Sequence, residues 1–226
     1  MKFALHISLI FFFCQSVFSQ EVLRGEICVE LEPVYAIDLG VSSPIDNSTA
    51  VRWALEDAQS AFSGMIYGWS FEYTPPNKAR QIEESLDLTG LGLVQFGDEK
   101  MLVSDVRKEN DLFFVWVDYQ LNDMQKKRLT AWNSHAAFNA NSQGYGALMG
   151  EAGITDRRDI KKGALEDAVK KAILAKLRLL YKNRPLRASG YISLSKFPIF
   201  RLKSGRWSCV ASFRIEITGI ENYSAF

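Results

Sequence analysis

Apolar and polar residues alternate along Glu26–Val34, the period-two signature of a half-buried strand. Turn and cap residues follow at Ser42–Ala50, with Asn47 reading as a helix cap. The period then changes. Val51, Leu55, Ala58, Phe62 and Met65 recur at steps of three and four and predict an amphipathic helix over Ser48–Ile66. Residues Gly68–Pro76 leave it as a strand stopped by Pro75 and Pro76, and a short helix is expected over Asn77–Leu86. Three strand-like runs come next, Gly90–Phe96, Lys100–Val106 and Asp111–Leu121. In the last of them Phe113, Val115, Val117 and Tyr119 share one face. Asn122 and Asp123 can cap a helix in which Met124, Leu129 and Trp132 are apolar.

Residues 133–158 lose any period. They include the Gly- and Asn-rich stretch Asn139–Gly153 and are expected to form a loop or linker. A second helix is predicted over Asp159–Lys182, with Leu165, Ala168, Val169, Ala172, Ile173, Leu177 and Leu180 apolar. Glu166 with Lys170, and Asp167 with Lys171, are four-residue pairs in the favourable order. Three more strands, Arg187–Ser195, Phe197–Lys203 and Arg206–Thr218, follow Pro185.

These elements predict an α+β fold of two helix-plus-antiparallel-meander units, residues 20–132 and 159–226. The pentapeptide ALEDA occurs in both helices, at Ala54–Ala58 and Ala164–Ala168, and the shared element order suggests an internal duplication. Little else aligns: a shift of 110 sets Trp53 against Gly163 and Phe62 against Ala172. The acids of both copies are expected to face water.

Residues 1–19 read as an export signal. Lys2 precedes an apolar run from Phe3 to Cys14, and Val17 and Ser19 occupy the small-residue cleavage positions. No run after it is long enough for a membrane helix. The expected location is therefore periplasmic or secreted. Two cysteines, Cys28 and Cys209, would enter a compartment that permits disulfides. Their expected faces differ. Cys28 shares a strand side with Glu26, Glu30 and Glu32, a solvent side, whereas Cys209 lies with Trp207, Ala211, Phe213 and Ile215.

With that signal in front, the chain is similar to small exported α/β domains of the type found at the amino terminus of flagellar assembly protein T and in related lipoproteins. The carrying residues are Ala54, Ala58 and Ala61, and Ala164, Ala168 and Ala172, on helices that precede meanders. The resemblance covers Glu26–Leu121 and Asp159–Thr218. It implies a role in envelope assembly or binding and supplies no catalytic residue.

Composition adds one specific signal. The 226 residues are 47% hydrophobic and 23% charged, ordinary for a globular chain, and the net charge is +1. That balance hides a split. Residues 20–155 carry 10 Lys and Arg against 20 Asp and Glu, whereas residues 156–206 carry 15 against 4. A charge asymmetry of this kind marks either a partner surface or one half docking on the other. The candidate binding residues are Arg157, Arg158, Lys161 and Lys162, with Trp132 and Trp207 near element ends. An envelope protein or an anionic glycan or lipid headgroup fits them; nucleic acid does not fit an exported chain.

Candidate chemistry is sparse. His135 is the histidine left after the signal, and neither it nor the two cysteines suggest a metal site. The glycines at 144, 146 and 150 match neither a dinucleotide fingerprint nor a P-loop. Asp105 and Asp118 lie within the apolar meander, where burial would raise a carboxyl pKa. No catalytic residue and no cofactor are assigned. The leading expectation is an exported, non-enzymatic binding or envelope-assembly protein contacting its partner through the basic half. The alternative is an exported enzyme with a site under the 133–159 loop, using His135 and a carboxylate.

Overall fold

A computed structural model describes residues 22–32, 44–134, 138–148 and 157–223. The expected signal 1–19 and His135 lie outside the described residues. The class is α+β, with three helices and two antiparallel sheets among the described residues. The elements run β1 (Val22–Glu30), α1 (Asn47–Ile66), β2 (Trp69–Thr74), β3 (Ser85–Gly90), β4 (Met101–Glu109) and β5 (Leu112–Gln120). They continue with α2 (Asp123–Ser134), β6 (Phe138–Leu148), α3 (Arg157–Leu180), β7 (Arg187–Leu194), β8 (Ile199–Lys203) and β9 (Arg206–Glu221).

The smaller sheet has the order β1-β5-β4. The larger runs β3-β2-β7-β9-β6, with β8 paired to the first part of β9. The alternation in β5 is realised: Phe113, Val115, Val117 and Tyr119 are buried. α1 covers that face and also meets β7, so one helix ties the two sheets together. Its alanines Ala50, Ala54, Ala58 and Ala61 are buried, and Phe62 stacks on Tyr119 at 5.7 Å between ring centroids. The N-cap of α1 is Asp46 rather than Asn47. The Asp46 side chain accepts from the Thr49 backbone N–H at 2.8 Å, and the Ser48 and Thr49 bonds hold its carboxyl down to about 2.

α3 lies on β6 and β9. The approach is close enough that a Cβ on Gly144 would collide with the backbone of Ala164 and Ala168, and one on Gly146 with the Ile160 carbonyl. Ser142 Oγ donates to the Ala168 carbonyl at 2.7 Å. Here the structure corrects the loop expected over 133–158. Residues 138–148 are a strand whose helix-facing positions are Ala140, Ser142, Gly144 and Gly146. Small residues permit the contact and, by doing so, erase the hydrophobic alternation that would announce a strand.

A second correction concerns Asn77–Leu86, expected to be helical. Only Lys78–Arg80 makes a 3-10 turn, ended by Gln81 at φ 55. β3 begins at Ser85 and sets Leu86 and Leu88 opposite Tyr73 and Phe71 of β2. Cross-strand packing overrides local helix propensity there. Gly90–Phe96, expected as a strand, is mainly a loop after Gly90.

The two expected units are not separate bodies, because β2 from the first pairs with β7 from the second. The topology does not repeat either. Strands after α1 divide between the two sheets, whereas all those after α3 join the larger one.

Candidate binding cleft

Close helix–sheet packing leaves room along one side. A cleft of about 490 Å³ lies between the second half of α1 and the first half of α3. Ala61, Trp69, Leu93, Leu165, Val169 and Phe200 give it apolar walls. The loop after β3 closes one side and is tied to α1 through Val94. The Val94 N–H donates to Ser63 Oγ at 2.9 Å, and Gln59 Nε2 donates to the Val94 carbonyl at 2.7 Å. With Val94 buried, the loop turns Leu91, Leu93 and Phe96 outward, and all three are exposed.

Asp57 and Lys161 line the inner part. Lys161 Nζ stands 2.6 Å from Asp57 Oδ2 and donates to the Cys28 carbonyl at 2.7 Å. It also sits over the Trp207 ring at 4.7 Å and the Phe200 ring at 5.7 Å. Both charged side chains are only 11% exposed. Burial this deep requires the charges to be paired and hydrogen-bonded, and they are.

The six sequence-derived site residues therefore separate. Arg158, Lys161 and Lys162 converge on the cleft. Arg158 and Lys162 are exposed there, with Lys162 Nζ 3.8 Å from Glu166. Lys161 is a correction: it is turned inward and held by Asp57. Trp207 is a second correction. It is 1% exposed and packs with Cys28 and Ile160, so it offers no surface. Trp132 is half-buried beside Gly68 and does not line the cleft. Arg157 opens α3, but its side chain falls outside the described residues.

Asp57 and its counterpart Asp167 were both expected to face water. Asp57 instead makes the buried pair. Asp167 accepts from the Tyr145 backbone N–H at 2.8 Å and pairs with Lys171 at 2.7 Å, while Lys171 donates to the Gln143 carbonyl. The second acid thus helps to seal the free edge of β6.

Beside the cleft, Cys28 and Glu30 also depart from expectation. Cys28 is buried rather than outward, and burial pushes its thiol up to about 11. Cys209 is fully buried, pushed up to about 12 by burial, and both cysteines are free. Burial, then the nearby Asp111, pushes Glu30 up to about 7 against the pull of Lys161. Asp105 is exposed, and Asp118 pairs with Arg24 at 3.3 Å.

A family model for an uncharacterized Treponema family matches residues 11–223. The chain belongs to that family. An uncharacterized protein of Treponema pallidum (strain Nichols) is 23% identical over 166 residues, which cover 72% of this chain and 66% of the relative. The chain thus spans just under two thirds of that relative's length. No solved structure matches.

The chemistry that the cleft presents in this family member follows from its pairings. Ser60 Oγ donates to the Glu56 carbonyl at 3.1 Å and Ser63 Oγ to the Gln59 carbonyl at 2.6 Å. Both hydroxyls are spent on helix carbonyls, and Asp57 is paired with Lys161. Among the described residues no three His, Cys, Asp or Glu side chains gather to hold a metal ion, and no helix is long and apolar enough to cross a membrane.

Proposed function

We propose that the protein is an exported, non-catalytic binding or envelope-assembly protein that grips its partner at the cleft between α1 and α3. The observation that carries this reading is the pairing of exposed cations, Arg158 and Lys162, with apolar walls and the exposed Leu93. Cations beside an apolar groove suit an acidic segment with apolar neighbours, such as an envelope protein presents, better than a bare glycan. The resemblance to exported assembly domains points the same way. Internal neutralisation of Asp57 by Lys161 supports binding rather than acid–base chemistry at this place.

The test uses the mature chain as bait for native envelope fractions, with anionic phospholipid vesicles alongside. Capture of a protein should weaken steeply as salt rises from about 0.05 to 0.5 M and be lost in Arg158→Glu/Lys162→Glu. Salt-insensitive capture, or capture unchanged by the double substitution, would sink the reading; binding to the vesicles alone would replace the protein partner with a lipid surface.

A further inference from the structure

The long edges of the two sheets are treated unequally. The edge of β6 is sealed by Asp167 and Lys171. The edge of β1 meets Lys161 at the Cys28 carbonyl, β8, and the Phe197 ring against Gly25. β4 has no such cover among the described residues: it packs substantially against β5 alone. It is nine residues long, and all but Met101 are exposed. Three of them are large and apolar, Leu102 (60% exposed), Val103 (39%) and Val106 (47%). An open edge of this length invites another strand.

The sequence of β4 says which strand. Opposite β5, Val106 faces Val115, while Asp105 and Arg107 face Trp116 and Phe114 on the other side of the sheet. We propose that β4 is the seam of a two-fold dimer, in which two copies of this chain pair their β4 strands antiparallel with Val106 against Val106. In that register Asp105 of one copy lies opposite Arg107 of the other, twice, on one face, and the two valines meet on the other face. Moving the axis by one residue sets Asp105 against Asp105 or Arg107 against Arg107, which opposes like charges. The strand is thus charge-complementary to itself in one register. In the single chain the Val106 N–H is taken by the Asp105 carboxylate at 2.8 Å. Pairing frees that carboxylate for Arg107 of the second copy and gives the N–H a backbone carbonyl. The Arg107 guanidinium lies over Phe114 at 4.4 Å and is already bonded to Glu26 at 2.7 Å and Glu109 at 2.9 Å, and pairing would add the new carboxylate to those two. The bulge between Val103 and Asp105 limits the seam to the C-terminal part of β4.

Oxidative cross-linking and sedimentation of the mature chain test this. Opposed Val106 Cα atoms, as a hydrogen-bonded pair, would stand about 5.5 Å apart, within disulfide reach. Val106→Cys should give a reducible dimer. Val103→Cys should not, since its copies would stand roughly 20 Å apart. Asp105→Arg should weaken dimerisation about tenfold, and adding Arg107→Asp should restore it. A chain that remains monomeric at tens of micromolar with no Val106→Cys cross-link overturns the proposal and leaves the edge for a strand of another protein. Equal cross-linking at positions 103 and 106, or dimerisation indifferent to Asp105→Arg, also overturns it.

Discussion

Asp57 on α1 and Lys161 on α3 meet at 2.6 Å, joining the two ALEDA helices across the acidic and basic parts of the chain. The pair links sequence to packing, because Lys161 also reaches the Cys28 carbonyl of β1 and the Trp207 ring of β9. Removing one partner strands a buried charge, at a cost of about 3–5 kcal/mol. Lys161→Met and Asp57→Asn should each lower stability in urea unfolding, and the double variant should lose less than their sum. Additive losses would show that the two side chains do not act as a pair.

The closeness of α3 to β6 predicts opposite outcomes for neighbouring glycines. Gly144→Ala drives a methyl into the α3 backbone and should cost at least about 2 kcal/mol. Gly163 sits within α3 with nothing nearer its missing Cβ than about 4.0 Å. Gly163→Ala should raise stability by about 0.5–1 kcal/mol. Thermal melts of the two variants read the contrast directly.

Glu30 gives the fold a slope with pH. Its carboxyl is raised from 4.5 to about 7 in the folded chain, so the folded state keeps a proton that the unfolded state has released. The associated stability is complete below about 4.5 and is lost as pH rises to about 7. Glu30→Gln should match the parent near pH 4.5 and exceed it at pH 8, by roughly 1–2 kcal/mol once its partial exposure is discounted. Parallel stability curves for the two proteins would contradict the assignment.

Both described cysteines should behave as inert thiols. Burial raises Cys28 to about 11 and Cys209 to about 12, so neither offers thiolate near neutrality. Titration of residues 20–226 with a thiol reagent at pH 8 should find no rapid reaction in the native state and two thiols in denaturant. Two protected thiols under oxidising conditions match the free, buried pair; a missing pair of equivalents would mean a disulfide.

The parts of the fold visible in the sequence are those where side chains carry the period. β5, α1 and α3 announce themselves through Phe113–Tyr119, Trp53–Met65 and Ala164–Leu177. β6 was hidden because glycine and serine stand where α3 comes closest. The polar stripe Cys28–Glu30 looked solvent-facing because nothing local in the sequence says that Trp207 and Ile160 cover it. For the cleft, the basic cluster of α3 was visible as charge. Its division into an inward Lys161 and outward Arg158 and Lys162 was not, since that depends on Asp57, more than a hundred residues away. Trp207, at a strand end, resembles an exposed tryptophan until β1 and α3 are laid over it.

The proposed role requires that the cleft, and not basic charge in general, engages the partner. Two double variants with equal charge change separate these: Arg158→Glu/Lys162→Glu at the cleft, and Arg201→Glu/Lys203→Glu on the exposed β8 hairpin. Capture from the native envelope at low salt, quantified for both, is the measurement. The cleft variant should lose at least about tenfold, the worth of two desolvated charge contacts, and the hairpin variant should stay close to the parent. Equal losses in the two variants would contradict the account.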